Sequence, residues 1–162
     1  MKVVFNSSPL IFLTKLNVIE KVLELFHYCY LSQAVVSEVS FKEDEAALYI
    51  KKLIDSSRLK VLEVKFGSLS NSLNRRLGKG ESQTIALGID VGVDYVILDD
   101  SVARKEALKL GLKVKGTLGL LRKLHIDDKV RIDDLERLYQ ELREIDFRVK
   151  RSIFDNVFAG LP

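Results

Sequence analysis

The sequence predicts a three-layer α/β/α sandwich around a central, mostly parallel sheet. Short β-branched and aromatic runs alternate with stretches of helical periodicity, in the order β-α-α-β-α-α-β-α-β-α-β-α-α. The run Tyr95-Val96-Ile97-Leu98 is apolar throughout, as in a strand buried on both faces. The chain has 162 residues, 47% hydrophobic and 30% charged, which excludes a disordered polymer. A chain of this length reads as a single domain over 1–162 that buries roughly 70% of its surface.

The elements follow in order. Lys2-Val3-Val4-Phe5 is the first strand. Asn6-Ser7-Ser8-Pro9 carries a helix-start signal, polar caps with proline in the first turn, and Leu10, Leu13 and Leu16 recur at helical spacing. A second short helix covers Val18 to Phe26. Tyr28-Cys29-Tyr30-Leu31 is the second strand, and Ser32 caps a helix bearing Val35, Val36 and Val39. Glu43 to Ser57 is a clearer helix, with Ala46, Ile50, Leu53 and Ile54 on one face. Leu59 to Val64 is the third strand. Gly67 to Gly80 is polar and reads as a loop with a short helical turn. Gly80 then admits a helix over Glu81 to Val91.

After the apolar strand, Asp99-Asp100 leads into a helix from Ser101, stopped by Gly111. Lys113-Val114-Lys115 is the last strand. Gly116-Thr117 opens a helix to about Leu124, and Asp133-Asp134 starts a longer one through Ile145. The tail forms an amphipathic helix at 152–159, with Ile153, Phe154, Val157 and Phe158 apolar. It is expected to dock on the chain's own core or on a dimer partner.

Composition narrows the function. The single cysteine, Cys29, excludes an intramolecular disulfide and a multi-cysteine metal site, and suits a reducing, cytoplasmic home. His27 and His125 read as helix-end residues and receive no role. No apolar run approaches the ~18 residues of a membrane span, and the start of the chain is too short in apolar residues for a signal peptide. Met, Cys and His are scarce beside Lys, Arg and Glu, the bias of proteins from hot environments. The net charge of +3 permits a nucleic-acid partner without demanding one. There is no Gly-x-x-x-x-Gly-Lys-Ser/Thr loop, no Gly-x-Gly-x-x-Gly after the first strand and no Gly-x-Ser-x-Gly elbow.

Parallel sheets bind ligands beyond the carboxyl ends of their strands. Asn6 follows the first strand, and Asp99 and Asp100 follow the fourth; Glu38 and Glu81 lie on helices. Each alone reads more simply as a cap, a first-turn anion or a solvated residue. As a set they offer oxygen donors without His or Cys, which suits a hard cation such as Mg²⁺ or Mn²⁺. Gathered carboxylates repel one another until a dication neutralises them. Such an ion activates water against a phosphodiester, so the set points to phosphoryl-transfer or nuclease chemistry.

Several segments in sequence order carry a family resemblance. They are Val3-Val4-Phe5-Asn6-Ser7-Ser8-Pro9-Leu10-Ile11, Ala34-Val35-Val36-Ser37-Glu38-Val39 and Leu77-Gly78-Lys79-Gly80-Glu81-Ser82. Ile97-Leu98-Asp99-Asp100-Ser101-Val102-Ala103-Arg104, Gly111-Leu112-Lys113-Val114, Gly116-Thr117-Leu118-Gly119-Leu120-Leu121 and Asp146-Phe147-Arg148-Val149 follow. Together they resemble a PIN domain, and within it the prokaryotic subgroup of predicted nucleic-acid-binding proteins, over nearly the whole chain. The resemblance implies an Mg²⁺- or Mn²⁺-dependent ribonuclease acting on single-stranded RNA. It also implies a toxin restrained by a small antitoxin protein, and a homodimer. The family's four catalytic acids fall on Asn6, Glu38, Glu81 and Asp100. Glu38, Glu81 and Asp100 would hold the ion, with Asp99 as an adjacent ligand, and Ser7 or Ser8 stands where the family has a small hydroxyl residue near the metal.

The departure is Asn6, where a neutral amide replaces the first acid. Its oxygen can still coordinate, but one carboxylate–cation attraction is lost. A unit charge pair at roughly 4 Å and an effective dielectric of about 20 is worth ~4 kcal/mol before desolvation, so metal affinity is expected to fall by about tenfold or more. The alternative reading is therefore a weak or inactive module that binds nucleic acid or protein without turnover. A small-molecule-binding α/β domain using the same sheet edge is a third.

Charge is segregated along the chain. From Ser101 to His125, seven cations (Arg104 and Lys105 among them) face Glu106 alone, whereas Ile126 to Asp146 holds eight acids against four bases. Arg75, Arg76 and Lys79 add a second basic cluster beside Glu81. Basic residues next to an acid pocket fit a phosphate backbone as partner. A solvated, salt-bridged helix face reads equally well.

Overall fold

The computed structural model describes residues 1–161, so Pro162, the end of the expected 1–162 unit, lies outside it. Five strands, β1 (Lys2–Phe5), β2 (Tyr28–Ser32), β3 (Lys60–Leu62), β4 (Tyr95–Ile97) and β5 (Val114–Lys115), form one sheet. Their order is β3-β2-β1-β4-β5, and every pairing is parallel. Central β1 is paired on both edges, Val3 standing opposite Cys29 on one side and Tyr95 on the other. Val3, Val4 and Phe5 are fully buried, as an all-apolar central strand requires.

Side chains alternate across the sheet and divide the core in two. Val3, Phe5, Cys29, Leu31 and Ile97 join the larger cluster. It is closed by α1 (Ser7–Lys15), α2 (Ile19–Leu23), α3 (Gln33–Phe41), α4 (Glu45–Asp55) and α8 (Thr117–Ile126). Val96 and Leu98 face the other way, onto Leu73 of α5 (Gly67–Leu73), Ile85 of α6 (Lys79–Val91) and Ala103 and Ala107 of α7 (Ser101–Lys109). This is the expected three-layer sandwich, with a sheet that is wholly parallel.

Helix boundaries follow their caps. Ser32 Oγ accepts from the Val35 N–H at 3.2 Å, as its residue type predicts. The helix expected from Glu43 starts later because Glu43 takes a positive φ of 50° and Asp44 caps instead, accepting from the Ala47 N–H at 2.8 Å. The polar stretch from Gly67 contains the full helix α5 rather than one turn; Asp90 accepts from the Lys65 and Phe66 N–H groups and fixes its entry. The helix expected from Glu81 begins two residues earlier, at Lys79. Glu81 reaches back to the Gly78 N–H at 3.0 Å, half of a capping box, so Gly80 sits inside the first turn.

The chain continues through α9 (Leu135–Glu144) to α10 (Arg151–Phe158). Phe154 and Phe158 of α10 are buried in the chain's own larger cluster, and Phe154 meets the Tyr139 ring edge-on at 5.1 Å. Ile153 on the same helix is exposed. Among the described residues, no helix is long and apolar enough to cross a membrane.

Candidate functional site

From β1 the chain steps outward to β2 and β3, then crosses back to place β4 on the far side of β1. The loops leaving β1 and β4 therefore diverge, which opens a crevice at their carboxyl ends. Asn6 lies there, its N–H donating to Ile97 O at 3.0 Å. Asn6 precedes α1, yet its side chain makes no capping bond. The residue is 3% exposed, and its Oδ1 is buried with no hydrogen-bond partner. Among the described residues only Thr84 Oγ1 shares that condition. An unpaired buried acceptor of this kind is disfavoured by about 1–3 kcal/mol.

Glu38 comes from α3. Its Oε2 accepts from the buried Ser7 hydroxyl at 2.5 Å, and its Oε1 from the Gly80 N–H at 2.9 Å. The contact with α6 is close. A Cβ on Gly80 would lie 2.5 Å from Oε1 and 2.6 Å from the carboxyl carbon. Glu81, half-buried one residue on, accepts from the Gly78 N–H through Oε2. Asp100 caps α7, its Oδ1 accepting from the Val102 and Ala103 N–H groups, both at 2.9 Å.

Electrostatics ties these acids together. Burial pushes the Glu81 carboxyl above the usual carboxylate range; the Gly78 N–H opposes this, and repulsion from Asp100 and Glu38 adds to it. Asp100 and Glu38 thus both act on Glu81. Glu38, Glu81 and Asp100 take part in no ion pair among the described residues.

Asp99 has a different environment. Its two oxygens accept from the Thr117 N–H at 2.7 Å and the Thr117 hydroxyl at 2.6 Å. Burial raises its pKa against those two bonds and the nearby Arg104 charge. Where sequence reading expects an adjacent ion ligand, Asp99 fastens the first turn of α8.

The expected substrate residues also divide. Arg104 Nη1 donates to Leu98 O at 2.8 Å, and Arg76 pairs at 3.2 Å with Glu106, which Lys109 also contacts. Ser8, Arg75, Lys79 and Lys105 are exposed, and these three cations form no ion pair among the described residues. His125 Nδ1 accepts from the Ile132 N–H, in keeping with a helix-end role. Sequence reading missed Gly80 and Thr117 as partners of acids. Gly80 stands directly before Glu81, but its contact with Glu38 spans 42 residues and has no local signal.

Among the described residues, no three of His, Cys, Asp and Glu are gathered to hold a metal ion. Each carboxylate is drawn instead onto a nearby N–H or O–H donor. The donor set nonetheless suits a hard dication: every donor is oxygen, and among the described residues Asn6 Oδ1 has no partner and Glu81 Oε1 and Asp100 Oδ2 accept no hydrogen bond.

No curated protein matches the chain. A family model described as "DUF3368: PIN domain" matches residues 2–161.

Proposed function

Because this chain belongs to the PIN domain family, with its nuclease-like fold, we propose that it hydrolyses phosphodiester bonds of single-stranded RNA with Mg²⁺ or Mn²⁺. The observation that carries the reading is Asn6 Oδ1, a buried and unpaired oxygen at the β1–β4 crevice. Asn6, Glu38, Glu81 and Asp100 would hold the ion. When bound, it supplies neutralisation of phosphate charge and activation of a water.

The chain's own groups do the rest. Asn6 contributes a neutral, buried oxygen. Ser7 and Gly80 fix Glu38. Burial and the neighbouring acids raise the Glu81 pKa, so a cation beside its carboxylate would relieve the repulsion. Arg75, Lys79 and Lys105 are free to meet backbone phosphates without reading bases. Arg104 props the carboxyl end of β4 through Leu98 O. The proposal extends to a cytoplasmic toxin restrained by a small antitoxin protein, and to a homodimer.

The test is cleavage of single-stranded RNA with Mn²⁺. Glu81→Gln and Asp100→Asn are each expected to lose about a hundredfold or more in rate. Cleavage that persists in Asp100→Asn overturns these roles. A binding module without turnover remains the rival because of the amide at Asn6. It predicts salt-sensitive RNA binding without metal, and cleavage gained only in Asn6→Asp. A wild type that cuts as fast as Asn6→Asp removes its motive.

A further inference from the structure

Two carboxylates share the N-terminus of α6. Glu81 takes the Gly78 N–H, and Glu38, arriving from α3, takes the Gly80 N–H. Both amides belong to the first turn, whose N–H groups have no partner within the helix. An anion there is also favoured by the helix dipole. Glu38 reaches this place only because residue 80 has no side chain. Any Cβ would lie inside van der Waals contact with all three atoms of its carboxyl group. The Ser7 hydroxyl holds the other oxygen, so Glu38 is gripped between the start of α1 and the start of α6.

We infer that Gly80 is a positioning residue: its bare Cα and its N–H set Glu38 beside Glu81, so that the two acids face an ion at a fixed spacing. The inference rests on the metal-dependent reading above. Gly80 touches neither ion nor substrate and acts through Glu38. Conformational freedom is not the reason for glycine, because Gly80 has no positive φ and a helix interior favours alanine. The requirement is space.

The experiment is a double-mutant cycle read by Mn²⁺ binding to the metal-free chain, using calorimetry. Gly80→Ala is expected to weaken Mn²⁺ by about tenfold or more, the usual effect of removing a ligand's support. In a Glu38→Ala background the same change is expected to alter affinity less than about twofold, because its target is gone. A structural effect would weaken both backgrounds equally and would overturn the inference, as would unchanged affinity in Gly80→Ala. Gly119→Ala, a helical glycine with open space around its Cα, serves as the control with unchanged affinity.

A second measurement needs neither metal nor a Gly80 variant. The Gly80 amide proton, bonded to a carboxylate, is expected to move upfield in Glu38→Ala. An unmoved resonance overturns the contact. A wild type that binds no Mn²⁺ overturns the proposed function itself, whereas tight binding that Gly80→Ala leaves intact overturns this inference alone.

Discussion

Two helix N-termini meet the carboxyl edge of the sheet, and each receives a carboxylate from another element. At α8, Thr117 gives Asp99 one donor per oxygen, and Gly116 lets the approach happen: a Cβ there would lie 2.9 Å from Asp99 Oδ1 and 2.8 Å from Arg104 Nη1. At α6, Gly80 receives Glu38 in a comparable way. The outcomes differ because of charge. At α8 the single acid is buried and a guanidinium stands beside it. At α6 Asp100 and Glu38 both repel the Glu81 carboxylate, and among the described residues none of the three is ion-paired. The same local device thus anchors a helix where charge is matched and leaves a surplus of negative charge where it is not.

Three changes press on that contrast, the largest effect first. Asp99→Ala would leave the Thr117 hydroxyl and N–H without their acceptor, losing about 3 kcal/mol and lowering Tm by roughly 6–12 °C. Thermal melts check this, and an unchanged Tm would show that α8 needs no anchor. The second concerns Glu81, whose folded-state pKa is raised above 4.5. Its ionised form opposes folding, so the penalty is present above the raised pKa and is relieved as pH falls through it toward the unfolded value. Metal-free Glu81→Gln is therefore expected to melt above wild type at neutral pH, with the gap closing as pH approaches 4.5. Mn²⁺ affinity of the wild type should fall through the same window, because protons compete for the carboxylate. The smallest effect is expected at Thr84, whose hydroxyl is, among the described residues, the other unpaired buried oxygen. Thr84→Val should stabilise by about 1 kcal/mol and leave Mn²⁺ affinity unchanged. A loss of affinity would place a second buried oxygen in the site and blur the contrast.

Much of the architecture was legible because strands β1 and β4 are short apolar runs ending in polar residues, and a parallel sheet places its ligands at such ends. Asn6 and the Asp99-Asp100 pair could be picked out on that ground alone. Asp99 and Asp100 could not be told apart. They are adjacent acids, and only the fold sends one to Thr117 while the other caps α7. Helix α5 was hidden because its Gly, Ser and Asn residues carry little helical periodicity; its entry depends on Asp90, far along the chain. The grip on Glu38 was hidden for the same reason, since close approach at a glycine is a property of three dimensions. The Phe154 and Phe158 face of α10 was visible as apolar, but only packing decides that its own core receives it.

Central β1 has one more consequence, in the order of synthesis. Its first partner, β2, follows within some twenty-odd residues, but its second, β4, begins only at Tyr95, just ahead of Asp100. A nascent chain halted before that point carries Asn6, Glu38 and Glu81 without the edge that closes around them. Those three residues are thus synthesised ahead of the strand that pairs with the second edge of β1 and carries Asp100 to it.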